Sequence, residues 1–151
     1  SEEALDLARR ALGRRALSRA EVAARLDDHG VEAEDRDAAL DRLEQEGAID
    51  DAALAETIAE RVRGRRKAGA RVVDQELARR GIAKEHRVAP PSDDDEVDRA
   101  AGLAEQRLRR APIDDAAERR VAGMLARRGF SSSVSRRAIE TVRARLAADD
   151  R

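Results

Sequence analysis

The sequence predicts an all-α protein built from three tandem three-helix repeats, and three observations carry that prediction. The strong helix formers Ala, Leu, Arg and Glu dominate, while aromatic residues make up 1%. Apolar residues recur at helical spacing, three or four apart. One short phrase is also written three times: "LDDHGV" at 26–31, "LARRGI" at 77–82 and "LARRGF" at 125–130. The copies lie 51 and 48 positions apart, the period of a helical repeat.

The first helix is expected over Glu2–Leu12, with Leu5 and Leu12 on its inner face and Gly13 as its stop. Ser18 and Glu21 have the spacing of a capping box, so a second helix starts there and carries Val22 and Leu26. Gly30 sits where a left-handed residue ends a helix, and Val31 follows as its apolar cover. A third helix runs from about Glu34 to Glu46, with Leu40 and Leu43 inward.

Asp50 is a good N-cap for the next helix, where Leu54, Ile58 and Val62 repeat at four-residue steps. "RGRRKAGA" breaks the pattern at 63–70, and a short helix with Val73 and Leu77 leads to Gly81 and Ile82. "AKEHRVAPPSDDDE" reads as a loop or one helical turn because Pro90 and Pro91 cut in. Ser92 or Asp93 caps a helix lined by Val97, Ala101, Ala104 and Leu108. Pro112 and Asp114 introduce another, with Val121, Met124 and Leu125, which Gly129 and Phe130 end. Ser131 or Ser132 caps the last, lined by Val134, Ala138, Val142 and Leu146.

In each copy of the phrase the Leu is the last core residue of a middle helix, the Gly turns the chain, and the next residue covers the end. The repeats are therefore expected at 1–47, 48–90 and 91–151, the middle one with a short or broken third helix. A unit of this size buries too little apolar surface to be robust alone, so repeats are expected to stack.

Catalytic constellations are not found. The chain has no Cys, which removes thiol chemistry and disulfides. His29 and His86 fall in different repeats, and Ser131–Ser133 has no His beside it. The acidic run 93–96 reads as a helix first turn, because consecutive carboxylates on a helix diverge. No Gly-rich phosphate loop occurs. A non-enzyme without metal or cofactor is expected. With no apolar run long enough for a membrane span and no signal peptide, the cytoplasm is the expected location.

Charge is the more informative property. The chain holds 31 basic and 32 acidic residues, unevenly spread. Residues 1–47 carry 8 basic and 13 acidic side chains, residues 48–89 carry 10 and 7, and residues 90–151 carry 13 and 12. "RVRGRRKAGAR" at 61–71 has six basic residues and no acidic one. The expected partner contacts are Arg61, Arg65, Arg66, Lys67 and Arg71, with the pairs Arg79–Arg80, Arg127–Arg128 and Arg136–Arg137. Asp27, Asp28, Glu32, Glu34 and Asp35 form an acidic face suited to a basic protein surface.

"LSRAEVAARLDDHGV", the long stretch "LDRLEQEGAIDDAALAETIAERVRGRRKAGARVVDQELARRGI" and "MLARRGFSSSVSRRAIE" together resemble RecX, the bacterial modulators of the RecA recombinase. The resemblance covers nearly the whole chain and lies in the ordered series rather than in one motif. The chain departs from it at Ala48 and Leu54, often Tyr or Phe in the family, and at Ala70, often Pro. The resemblance implies an elongated, curved array of the three repeats. It also implies a noncatalytic monomer that lodges in the groove of the RecA–single-stranded-DNA filament, with inhibition of strand exchange, ATP hydrolysis and coprotease activity.

The second reading is a DNA-binding helix-turn-helix-like module, with weak direct DNA contact. Its recognition helix would be 34–46, whose many carboxylates a phosphate-lined groove repels. "SVSRRAIETVRAR" at 133–145 suits nucleic acid better.

Overall fold

A computed structural model describes residues 1–110 and 112–149. Ala111 lies outside the described residues, as do Asp150 and Arg151, the last two positions of the expected third repeat. Among the described residues eight α-helices follow one another: α1 Glu2–Arg14, α2 Arg19–Asp28, α3 Ala33–Gln45, α4 Asp51–Arg65, α5 Ala70–Arg79, α6 Asp93–Leu108, α7 Asp115–Arg128 and α8 Ser132–Asp149. A 3-10 turn at Lys84–His86 stands where the middle repeat would have its third helix. Pro90 and Pro91 follow it and prevent a longer helix there.

The repeated phrase forms one structure three times. In each copy two amides bond back across the helix end: Val31 to the Leu26 carbonyl and Gly30 to Asp27, Ile82 to Leu77 and Gly81 to Ala78, Phe130 to Leu125 and Gly129 to Ala126. This double bond defines a Schellman ending. The glycines hold φ of +78, +74 and +100°, the left-handed region that side chains resist. Leu26, Leu77 and Leu125 are buried, each side chain contributing roughly 1.5–3 kcal/mol. At the start of α2 the capping box is complete: the Ser18 hydroxyl accepts from the Glu21 amide at 3.1 Å, and Glu21 accepts from the Ser18 amide at 2.9 Å.

Two elements differ from the sequence reading. α1 turns its alanines inward: Ala4, Ala8 and Ala11 are buried, whereas Leu5 and Leu12 only flank the core. Small side chains let the helix approach closely, and the leucines close the edges. α1 also passes through Gly13, where a Cβ would meet no described atom within 4 Å, and ends at Arg14. α4 likewise continues past the expected break at 63 as far as Arg65. Gly64 is exposed there, and one exposed glycine weakens a helix without ending it.

The chain forms two compact units. The first comprises residues 1–60 and 76–88, the second 61–75 and 89–151. Each of α4 and α5 contributes to both. The first unit has a core of Ala4, Ala8, Ala11, Leu17, Val22, Leu26, Ala39, Leu40, Leu43 and Ile49. The second is centred on Val97, Ala101, Ala104, Leu108, Val121, Met124, Leu125, Phe130, Val134 and Val142. The first unit holds 12 basic and 19 acidic residues, and the second 19 basic and 13 acidic. Net charges of −7 and +6 thus hide inside a chain of net charge −1.

In the first unit the end of α5 meets the start of α2. The Ser18 hydroxyl donates to the Arg80 carbonyl at 2.6 Å. Arg80 is 5% exposed, and its guanidinium forks onto both Glu21 oxygens at 2.8 and 2.9 Å and onto the Ala16 carbonyl at 3.1 Å. A Cβ on Gly81 would come within 2.7 Å of the Ala20 methyl, so the glycine serves the close approach as well as the turn.

Candidate partner-binding surface

In the second unit the end of α7 meets the start of α5, here mainly through backbone. The Gly69 amide donates to the Arg128 carbonyl at 2.7 Å, and the Arg71 amide to the Gly129 carbonyl at 3.1 Å. A Cβ on Gly69 would lie 2.7 Å from the Gly129 backbone, and one on Gly129 2.5 Å from the Val72 nitrogen. Glu96 and Arg99 of α6 complete the hold. Glu96, 5% exposed, accepts from the Ala70 amide at 2.7 Å and from Arg99 at 2.7 Å. Arg99 also donates to the Ala68 carbonyl at 2.8 Å and the Arg63 carbonyl at 3.1 Å, with its guanidinium 5.7 Å from the Phe130 ring centre. Arg128 donates to the Arg66 carbonyl at 3.0 Å.

The loop 66–69 is therefore fixed by its backbone while its cationic side chains stay outside. Arg61, Arg65, Arg66, Lys67 and Arg71 are all exposed, and so are Arg127 and Arg136. None of the seven forms an ion pair among the described residues. All of them belong to the second unit.

The other expected contacts are occupied. Arg80 is the clear correction, since it is buried in the first unit with its donors spent on Glu21 and Ala16. Burial works to raise the Glu21 carboxyl pKa, but hydrogen bonds from Arg80 and the Ser18 amide, and the charge of Arg80, hold it below the ordinary range. Arg79 pairs with Glu76 at 2.6 Å, and that bond and charge raise its guanidinium above the usual value. Arg137 is raised by its hydrogen bond to Asp94 at 2.8 Å. Arg128 is half-buried on the Arg66 carbonyl. Glu96 and Arg99 were not singled out by the sequence, because the amide and carbonyls they hold lie 26 to 36 positions away.

Beside the cations runs a groove of about 1070 Å³ between the start of α5, α7 and α8. Ala122, Ala126, Phe130, Val134 and Ile139 give it apolar lining, and charges of both signs share the lining, among them Arg71, Arg119 and Arg136 with Asp93, Glu118 and Glu140. Its volume suits inserted apolar side chains. The buried Ser135 hydroxyl on its wall has no hydrogen-bond partner among the described residues. There is no group of metal-ligating side chains among the described residues, and no described helix is long and apolar enough to cross a membrane.

Comparison with known proteins adds the lineage. Residues 4–43 match the family described as the first three-helix domain of RecX, and residues 93–139 its third three-helix domain. The regulatory protein RecX of Mycobacterium sp. (strain KMS) is 38% identical over 152 residues, covering 93% of this chain and 80% of that protein. Regulatory protein RecX of Mycobacterium avium (strain 104) is 38% identical over 154 residues, covering 98% and 87%. In fold, the chain superposes on the crystal structure of RecX from Lactobacillus salivarius with a TM-score of 0.85, at 19% identity and over 95% and 96% of the two chains. With this identity sustained over nearly its whole length, the chain belongs to the RecX family of regulatory proteins.

Proposed function

We propose that this protein binds the RecA–single-stranded-DNA filament and lowers its strand exchange, ATP hydrolysis and coprotease activity, without catalysing a reaction of its own. The observation that carries the reading is the set of seven exposed cations of the second unit, none with an ion pair among the described residues, around the backbone-fixed 66–69 loop. A nucleoprotein offers phosphates and carboxylates to such a surface. The apolar groove beside it receives side chains of the recombinase. The acidic first unit, with Asp27, Asp28, Glu32, Glu34 and Asp35 exposed, faces basic protein surface. Arg127 and Arg136 extend the contact, and Arg79, Arg128 and Arg137 join it only by exchanging their present partners. The protein acts as a cytoplasmic monomer divided into repeats at 1–47, 48–90 and 91–151.

A DNA-binding module is the weaker reading, because the exposed face of α3 carries Glu34, Asp35, Asp37, Asp41 and Glu44. The test is a titration into a RecA–single-stranded-DNA ATPase assay, with free DNA binding followed in parallel across salt. Inhibition at concentrations where free DNA is unbound supports filament regulation. DNA binding that precedes any change in ATP hydrolysis refutes it.

A further inference from the structure

Two residues of the second unit break local rules, and both border the same recess. Lys67 follows the last turn of α4 with φ +51°, the left-handed conformation that glycine adopts most easily. Its neighbour Ala68 donates to the Val62 carbonyl at 3.3 Å, a wider closure than the five-position bonds of the glycine endings, and here the turning residue is a lysine. Gly102 does the reverse. It lies inside α6, exposed, and a Cβ there would meet no described atom within 4 Å. Alanine would strengthen the helix, and no packing within the unit requires glycine.

The recess they share holds about 260 Å³ and is completed by Arg63, Arg99, Leu103 and Gln106. Three cations and no carboxylate line it. Glu96 neutralises Arg99, but Arg63 and Lys67 have no ion-pair partner among the described residues. The Arg63 Nε–H is buried and has no acceptor among them either. Buried donors without a partner are rare in folded proteins. A lysine standing where glycine is easier and a glycine standing where alanine is stronger both make sense if an anion enters. The lysine supplies charge, and the glycine lets the anion come close to α6.

We propose that this recess binds a phosphate group, held by Arg63, Lys67 and the Gln106 amide, with Gly102 leaving it room. The phosphate comes from a polynucleotide backbone or from free phosphate. The filament reading bears only on which source applies, so the two ideas fail separately.

The experiment uses the protein alone, by NMR, titrated with pyrophosphate in one arm and with a short oligothymidylate in the other. Both anions are expected to shift the Gly102 and Lys67 amides and the Gln106 side-chain amide. Displacement of the oligonucleotide by pyrophosphate marks backbone phosphate as the source. Pyrophosphate binding without oligonucleotide binding marks free phosphate, and either result supports the site. Gly102→Ala and Lys67→Gly are both expected to raise the melting temperature while weakening anion binding about tenfold. Lys67→Gly also lowers the slope of log affinity against log salt by about one. Either variant binding like wild type, or Gly102 and Gln106 signals that neither anion moves, overturns the proposal. Phosphate binding with an unchanged RecA ATPase leaves the recess standing and refutes the filament reading.

Discussion

The phrase "LARRG" ends two helices, and the two ends are held in different ways. At the end of α5, the side chain of Arg80 does the holding, buried against Glu21 and the Ala16 carbonyl. At the end of α7, backbone does it: Gly69 and Arg71 donate to the Arg128 and Gly129 carbonyls, and Arg128 adds one bond to Arg66. In the second unit the carboxylate–guanidinium pair comes instead from buried Glu96 and half-buried Arg99, both on α6. Identical letters thus give one arginine to the interior and leave its counterpart at the surface. What decides is the neighbour. Glu21 of the capping box is within reach of Arg80, whereas the start of α5 offers Gly69 and backbone amides.

The glycines should separate the three endings most strongly. Gly129→Ala forces a side chain at φ +100° into the Val72 backbone and should destabilise by about 3 kcal/mol or more. Gly81→Ala meets the Ala20 methyl and should cost about 2 kcal/mol. Gly30→Ala carries only the left-handed penalty, about 1 kcal/mol, because no described atom lies within 4 Å of its Cβ. Urea unfolding followed by circular dichroism ranks them. Equal losses at all three would mean that the glycines serve turns alone and the close approaches do not matter.

The two arginines should differ next. Arg80→Met strands Glu21 and should cost about 2 kcal/mol, less than for a fully buried pair because Glu21 keeps some solvent. Arg128→Met removes one bond to a carbonyl and should cost about 0.5 kcal/mol. Thermal melts of the two variants should therefore separate clearly, and coinciding melts would contradict the assignment of Arg80 to the interior.

Acid gives the smallest effect. The Glu21 carboxyl pKa is lowered in the folded state, so its contribution is complete above the ordinary glutamate value of about 4.3 and disappears as pH falls through the depressed value. Glu21→Gln should flatten the acid limb of the melting temperature against pH. An unchanged limb would show that Arg80 gives Glu21 no electrostatic stabilisation.

What the sequence displayed was local. The capping box at Ser18 and the three glycine endings bond over three to five positions, so their spacing is visible in the letters. The 3-10 turn followed from Pro90 and Pro91. The inward face of α1 was hidden because alanine belongs as readily outside as inside. Arg80 looked like Arg79, and only a carboxylate 59 positions away separates their roles. Glu96 looked like one more acid in a helix first turn, although the amide it accepts from belongs to Ala70, 26 positions earlier. The basic stretch was legible as charge, but its fixed backbone was not, since the bonds to Glu96, Arg99, Arg128 and Gly129 that pin it reach other elements.

The exposed cations of the second unit are thus assigned to a partner, and buried Arg80 of the first unit to holding the fold. ATP hydrolysis by RecA on single-stranded DNA, titrated with wild type and with a variant carrying Arg65→Glu, Arg66→Glu and Arg71→Glu, tests that assignment most directly. The variant should melt like wild type and lose about tenfold or more in inhibitory potency. A correctly folded variant that inhibits as well as wild type would contradict the account.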